Sequence, residues 1–153
     1  MPKSKNYLLD VNCWLAAAAS RHRHHLEAKD WIDAATVPFS FCRVTQMAFL
    51  RLVTNPKVMG PDVLTPQQAW EAYRKFLADP RILFAEEPSN LETSWGQMTD
   101  SAEFKPNLWT DSYLAAFARS GNYTIVTFDN GFQRFPQIDV VTLQETSKKT
   151  TSA

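Results

Sequence analysis

Glycine is scarce in this chain, four in 153 residues, and no Gly-rich run exists to cradle a nucleotide phosphate, which excludes the common nucleotide-binding loops. Cysteine is scarcer still: Cys13 and Cys42 cannot build a disulfide framework and fit reduced thiols in a cytoplasm. No apolar run approaches the roughly 18–20 residues of a membrane span, so no membrane association is expected. The opening Met1-Pro2-Lys3-Ser4-Lys5-Asn6 carries no apolar signal region, and a cytoplasmic location is expected. An excess of charge of either sign is also missing. Sixteen basic and sixteen acidic side chains cancel, which removes the simplest argument for a nucleic-acid partner, a positive field over the whole molecule. Such binding has to be local, through clusters such as Arg21-His22-Arg23-His24-His25 or the Arg43, Arg51 and Lys57 set.

What remains is ordinary for a soluble globular protein: 44% apolar and 21% charged residues. The length suits one domain with a core of its own. With no internal repeat or linker, residues 1–143 read as that domain. Residues 144–153, rich in Ser, Thr and Lys, hold too little apolar surface to offset the entropy of ordering and read as a flexible polar tail.

Short β-branched or aromatic runs at Tyr7 to Leu9, Val37 to Phe41, Ile82 to Phe84, Thr124 to Phe128 and Ile138 to Leu143 predict strands. Between them, periodicity predicts helices over Trp14 to Ala19, His24 to Ala35, Arg43 to Thr54, Thr65 to about Asp79, Ser89 to about Asp100 and Pro106 to Ser120. Thr65-Pro66-Gln67-Gln68 and Ser89-Asn90-Leu91-Glu92 both read as capping boxes. Asn55-Pro56 stops a helix, and Gly121 is placed to close another in the left-handed conformation. Alternation of this kind implies an α/β fold, a central and mainly parallel sheet flanked by helices on both faces.

Two acids, Asp10 and Asp129, follow the first strand and the Thr124 to Phe128 strand, where the crevice of an open α/β sheet lies. Asp111 heads the apolar stripe Asp111, Leu114, Ala115 and Ala118, and Gln46 heads the stripe Gln46, Phe49, Leu50 and Val53. Both stripes fall at i, i+3, i+4, i+7, so each helix aims a polar group from its first turns toward the strand ends. Singly, such aspartates are caps or turn residues; together they point to one site. Three carboxylates within ~5 Å repel by about 3 kcal/mol per pair, on the order of 10 kcal/mol in all at an effective dielectric of ~20. A divalent cation relieves that repulsion directly, and an all-oxygen site suits Mg²⁺ or Mn²⁺ rather than zinc. Such a site suits phosphate chemistry. The histidines His22, His24 and His25 lack a second ligand pair at structural zinc spacing. The five tryptophans read first as core or interface residues.

Four ordered segments carry a resemblance. Leu8-Leu9-Asp10-Val11-Asn12, Thr45-Gln46-Met47-Ala48-Phe49-Leu50-Arg51-Leu52 before Thr54-Asn55-Pro56, Thr110-Asp111-Ser112-Tyr113-Leu114-Ala115-Ala116, and Thr127-Phe128-Asp129-Asn130-Gly131-Phe132 resemble the motifs of PIN-domain ribonucleases, and more narrowly the VapC toxins of bacterial toxin–antitoxin pairs. The resemblance implies a PIN-like fold and a Mg²⁺- or Mn²⁺-dependent endoribonuclease acting on RNA. It also implies a homodimer neutralised by a VapB-type antitoxin, with higher toxin–antitoxin assemblies open to it. Asp10, Asp111 and Asp129 are the implied metal set and, with Gln46, the implied catalytic group. Asn12, Thr127, Asn130 and Arg51 are implied as supporting or phosphate-contacting residues. One position departs: the family usually carries Glu where this chain has Gln46, and an amide brings no charge and cannot act as a base. That departure keeps open an alternative, a catalytically weak PIN-like module that binds RNA or antitoxin. Glu92 and Glu103 are the nearby acids that a substitute would draw on.

Overall fold

The computed structural model describes residues 6–144. Five strands, β1 (Asn6–Leu9), β2 (Phe39–Phe41), β3 (Ile82–Phe84), β4 (Tyr123–Thr127) and β5 (Asp139–Thr142), form one sheet in the order β3-β2-β1-β4-β5, with every neighbouring pair parallel. Among the described residues, seven α-helices accompany them: α1 (Val11–Ala18), α2 (His25–Ala34), α3 (Arg43–Val53), α4 (Pro56–Met59), α5 (Pro66–Leu77), α6 (Leu91–Thr99) and α7 (Trp109–Gly121).

Side chains alternate along a strand, and β1 uses that to feed two cores. Leu8 joins Ile125, Leu91 and Met98 of α6, and Leu114 and Phe117 of α7. Its neighbour Leu9 joins Val126, Phe39, Phe41, Trp14 of α1, Phe49 of α3 and Tyr73 of α5. The Trp14 indole stacks on Phe41 at 3.7 Å between centroids. Helices therefore cover both faces, as a parallel sheet requires. No described helix is long and apolar enough to cross a membrane.

Three local expectations need correction. The Thr65 capping box forms, with Thr65 Oγ1 accepting from the Gln68 amide at 3.1 Å and Gln68 Oε1 accepting from the Thr65 amide at 2.9 Å. The one expected over Ser89 to Glu92 does not. The N-cap of α6 is Asn90 rather than Ser89, outside extended geometry (φ −100°, ψ 19°) and without a side-chain cap bond, so the Ser89 and Glu92 pair stands one residue out of register with the helix start. The helix expected from Pro106 opens as a 3₁₀ turn over Pro106–Leu108, and α7 begins at Trp109. Gly121 does not adopt the left-handed conformation; Asn122 does (φ 61°, ψ 50°), the usual second choice there. Gly121 stays helical, and a Cβ on it would lie 2.6 Å from the Tyr123 ring and 2.9 Å from Pro88. Beyond Asn55 the chain re-enters helix at once, through α4 and a 3₁₀ turn at Gly60–Asp62. Apart from Gln144, the expected tail lies outside the described residues.

Candidate active site

The strand order reverses direction at β1: the chain builds outward through β2 and β3, then returns to lay β4 on the other side of β1. Crevices at such switch points are where open α/β sheets bind ligands. Register pairs Leu9 with Val126, so the next residues, Asp10 and Thr127, meet at the carboxyl ends of the two strands. The Asp10 amide extends the ladder to the Val126 carbonyl at 2.9 Å.

Asp10 is 7% exposed and caps α1, its Oδ1 accepting from the Val11 amide at 2.7 Å. Its Oδ2 accepts from the buried Thr127 hydroxyl at 2.9 Å. The same hydroxyl accepts the Asp129 amide at 3.0 Å, so one oxygen ties both strand-end acids together. Asp129 in turn caps the 3₁₀ turn Asn130–Arg134, Oδ1 accepting from the Gly131 amide at 2.7 Å. Here glycine is needed for space: a Cβ on Gly131 would stand 3.0 Å from Asp129 Oδ1 and 3.1 Å from the Arg134 guanidinium.

Asp111 stands in the first turn of α7, directly before two anchored neighbours. Ser112 Oγ accepts from Trp95 Nε1 and donates to the Trp109 carbonyl, both at 2.9 Å. The Tyr113 hydroxyl donates to Glu87 Oε2 at 2.7 Å. Burial, followed by the charges of Asp10 and Asp129, pushes the Asp111 carboxyl up to about 6, against a smaller opposing pull from Arg134. Burial also raises Asp10, against the bonds from Thr127 and Val11, and the Asp129 charge adds to the rise. The three acids thus share one electrostatic environment. Among the described residues no group of three or more His, Cys, Asp or Glu side chains is placed to hold a metal ion between them. Cys13 faces the same strands, its thiol donating to the Val126 carbonyl at 3.4 Å. Burial and the Asp10 charge hold it well above the ordinary thiol range, so no thiolate is on offer.

Gln46 is buried at 6% exposure, but its amide is turned to other partners. Arg43 donates to its Oε1, and it hydrogen-bonds the Tyr73 hydroxyl. The Arg43 guanidinium also lies 4.7 Å from the Phe84 ring centre. Thr127 is fully buried and bonds the acids rather than solvent. Asn12 and Asn130 are exposed beside Asp10 and Asp129. Arg51 is exposed on the last turn of α3 and lines a groove with Thr54, Pro66 and Trp70. Neither Glu92 nor Glu103 contributes to the shift of Asp111. In the histidine cluster, His22 Nδ1 accepts from the His24 amide, His25 Nδ1 donates to the Ala16 carbonyl, and the His24 ring stacks on Phe128 at 4.5 Å.

Sequence reasoning missed Tyr73 and Arg134, and it named Arg43 only as a local cation, not as the partner of Gln46. The i, i+3 spacing of Arg43 and Gln46 on one helix was an available signal; nothing local flagged Arg134 or Tyr73.

The PIN-domain family profile matches residues 7–138. The chain is 42% identical over 139 residues to Ribonuclease VapC41 of Mycobacterium tuberculosis, covering 87% of this chain and 95% of that one. To Ribonuclease VapC38 of the same species it is 32% identical over 133 residues, 81% and 85% of the two chains. Among solved structures, VapBC2 from Rickettsia felis, bound to a DNA fragment from its promoter, superposes with a TM-score of 0.66 at 15% identity, over 91% of this chain and 99% of that chain. The Mycobacterium tuberculosis VapC20, a Sarcin-Ricin loop cleaving toxin, gives 0.63 at 16% identity, over 87% and 98%. At such identities the structural likeness carries the fold alone.

Proposed function

The chain belongs to the PIN-domain family, among the VapC ribonucleases, and from that premise we propose that it is a toxin endoribonuclease dependent on Mg²⁺ or Mn²⁺. Its partners on this reading are RNA, a VapB-type antitoxin and a second copy of itself, in the cytoplasm. The observation that carries the reading is the Asp111 carboxyl, pushed up to about 6 by burial and by Asp10 and Asp129: three acids are held together with too little positive charge to balance them. Their oxygen donors fit a hard divalent cation, and Mg²⁺ commonly keeps several waters while using one or two carboxylates plus substrate phosphate, so a closed cage is not required. Asp10 and Asp111 would hold it, with Asp129 completing the acidic set directly or through water. When bound, the ion supplies an activated water and charge stabilisation for an in-line displacement at phosphorus.

The chain's own residues prepare that site. Thr127 and the Val11 amide each donate to one oxygen of Asp10, which fixes the carboxylate plane. Ser112 and Tyr113 hold the start of α7 just after Asp111. The VapBC assemblies among the structural neighbours support the antitoxin.

The purified full chain is expected to cleave structured RNA with Mg²⁺ or Mn²⁺, and cleavage is expected to vanish in excess chelator and in Asp10→Asn. Undiminished cutting under either condition refutes the metal-dependent reading.

A second reading, a PIN-like module that binds RNA or antitoxin with little cutting, is favoured by Gln46, whose amide is engaged by Arg43 and Tyr73 and brings no charge. Gln46→Glu separates the two. An inert parent that gains metal-dependent cleavage on this substitution establishes the binding module; a parent already active, changed by less than about tenfold, establishes the nuclease. Tenfold corresponds to about 1.4 kcal/mol of barrier, close to one modest hydrogen bond.

A further inference from the structure

A cavity of about 560 Å³ opens beside the acidic crevice, between the end of α6 with its following loop and the turn that leads to β5. Asp100, Ser101, Glu103, Phe104, Arg134 and Phe135 are among its lining residues. Its volume falls within the range of small-ligand sites. Arg134 belongs to both places: it lines the cavity, and its charge acts on Asp111. Arg134 Nε is spent on the Gly131 carbonyl at 2.8 Å, which aims the rest of the guanidinium and leaves its other N–H groups for a ligand.

The carboxylates of Asp100 and Glu103 have no hydrogen-bond or ion-pair partner among the described residues. Beside a site that handles a polyanion, unpaired acids repel a phosphate track. They suit instead the N–H groups of a base edge turned away from the backbone. The half-buried Phe104 ring in the wall offers stacking surface, and splayed single-stranded bases are read by this combination of stacking and edge hydrogen bonds.

We infer that this cavity is a base-recognition subsite that takes a guanine of the RNA next to the cleaved phosphate, Arg134 meeting its O6, and Asp100 and Glu103 together its N1–H and N2–H groups. Guanine is selected by order: its Watson–Crick edge reads acceptor, donor, donor, and the cavity offers one cation and two carboxylates. Adenine and cytosine present a single donor group and uracil a single N–H between two acceptors, so each leaves a carboxylate unmet. This inference rests on the ribonuclease reading for its biological role, but not for its binding test.

The test is an NMR titration of the full chain with the four nucleoside 5′-monophosphates, following the backbone amides of Ser101, Phe104 and Arg134, with and without Asp100→Asn and Glu103→Gln. These exposed substitutions are checked by an unchanged melting temperature. Guanosine monophosphate is expected to bind about tenfold more tightly than the others. That preference is expected to disappear in the double variant and to survive in Asp10→Asn. In parallel, cleavage of short RNAs differing in one nucleotide should show a raised KM in the double variant for guanine-containing substrates, with kcat little changed. Selective, carboxylate-dependent guanine binding without any cleavage sustains the subsite and refutes the nuclease. Equal binding of all four nucleotides overturns the subsite even if the protein cuts RNA. So does a preference that the double variant retains, or a double variant that loses only affinity for a basic antitoxin peptide.

Discussion

Thr127 shows how much of this site depends on one hydroxyl. Deep in the sheet, it donates to Asp10 and accepts from the Asp129 backbone, so two acids 119 positions apart in the chain keep their spacing through one oxygen. The acids themselves were legible in the sequence, because residues after strands and in first helical turns have predictable positions. Thr127 was placed there too, but its direction was not, since a threonine at a strand end can face a phosphate or the interior with equal local preference. Gln46 is the converse case: its depth was legible and its partners were not. The raised Asp111 carboxyl gives the residue scale its prediction. Its folded value, about 6, exceeds the ordinary 3.8, so its protonation stabilises the fold fully below about pH 3.8 and that contribution is lost as pH rises through about 6. Asp111→Asn removes the ionisation. In chelator at pH 7.5 the variant is expected to be more stable than the parent by on the order of 1–2 kcal/mol, with solvent screening of a partly exposed group taken into account. The gap should close toward pH 4.5. Urea midpoints at the two pH values measure it, and a gap that is absent or widens on acidification contradicts the shared electrostatic environment. Comparing the two proteins at each pH cancels His22, whose burial lowers its own value and acts in the opposite sense.

Elements were read most accurately where two independent signals agreed. Hydrophobic periodicity and the Thr65 capping box together located α5, and the box forms as written. At α6 the same motif spelled a box that is absent, because the helix starts one residue later, with Asn90 as its N-cap, and a four-residue pattern does not fix the register of the helix behind it. Gly121 was misread for a related reason. Its place after a helical run matched a left-handed cap, but the demand on it is the approach of Tyr123 and Pro88, a tertiary fact. Pairing within α3 lies between these cases. Arg43, at the first position, reaches Gln46 one turn on, a contact that helical spacing alone permits. Its consequence is functional: a cation satisfies the amide at the position where relatives in the family usually carry an acid. The element therefore holds its neutral side chain in place by a local bond, without drawing on the acidic crevice.

The whole molecule adds what neither scale contains, the order of the strands. Alternation of strand and helix implied a parallel sheet, but several orders satisfy it. The order β3-β2-β1-β4-β5 sets β1 beside β4 and so brings Asp10 to Thr127. The central position of β1 also decides how the fold comes apart. Leu8 and Leu9, adjacent in sequence, serve cores on opposite faces, and β1 is paired on both edges. Losing either core releases the strand that the other one needs. Phe117→Ala on the α7 side and Phe49→Ala on the α3 side each remove a fully buried ring, and each is expected to cost about 3–5 kcal/mol. Both variants are nevertheless expected to unfold in one transition, with circular dichroism and tryptophan fluorescence coincident, since Trp14 reports on one core and Trp95 packs against the other. Two separated transitions in either variant would show that the cores are independent. The acids gathered between them would then rest on whichever face melts first, and the proposed metal-dependent cleavage should disappear with that first transition rather than with the last.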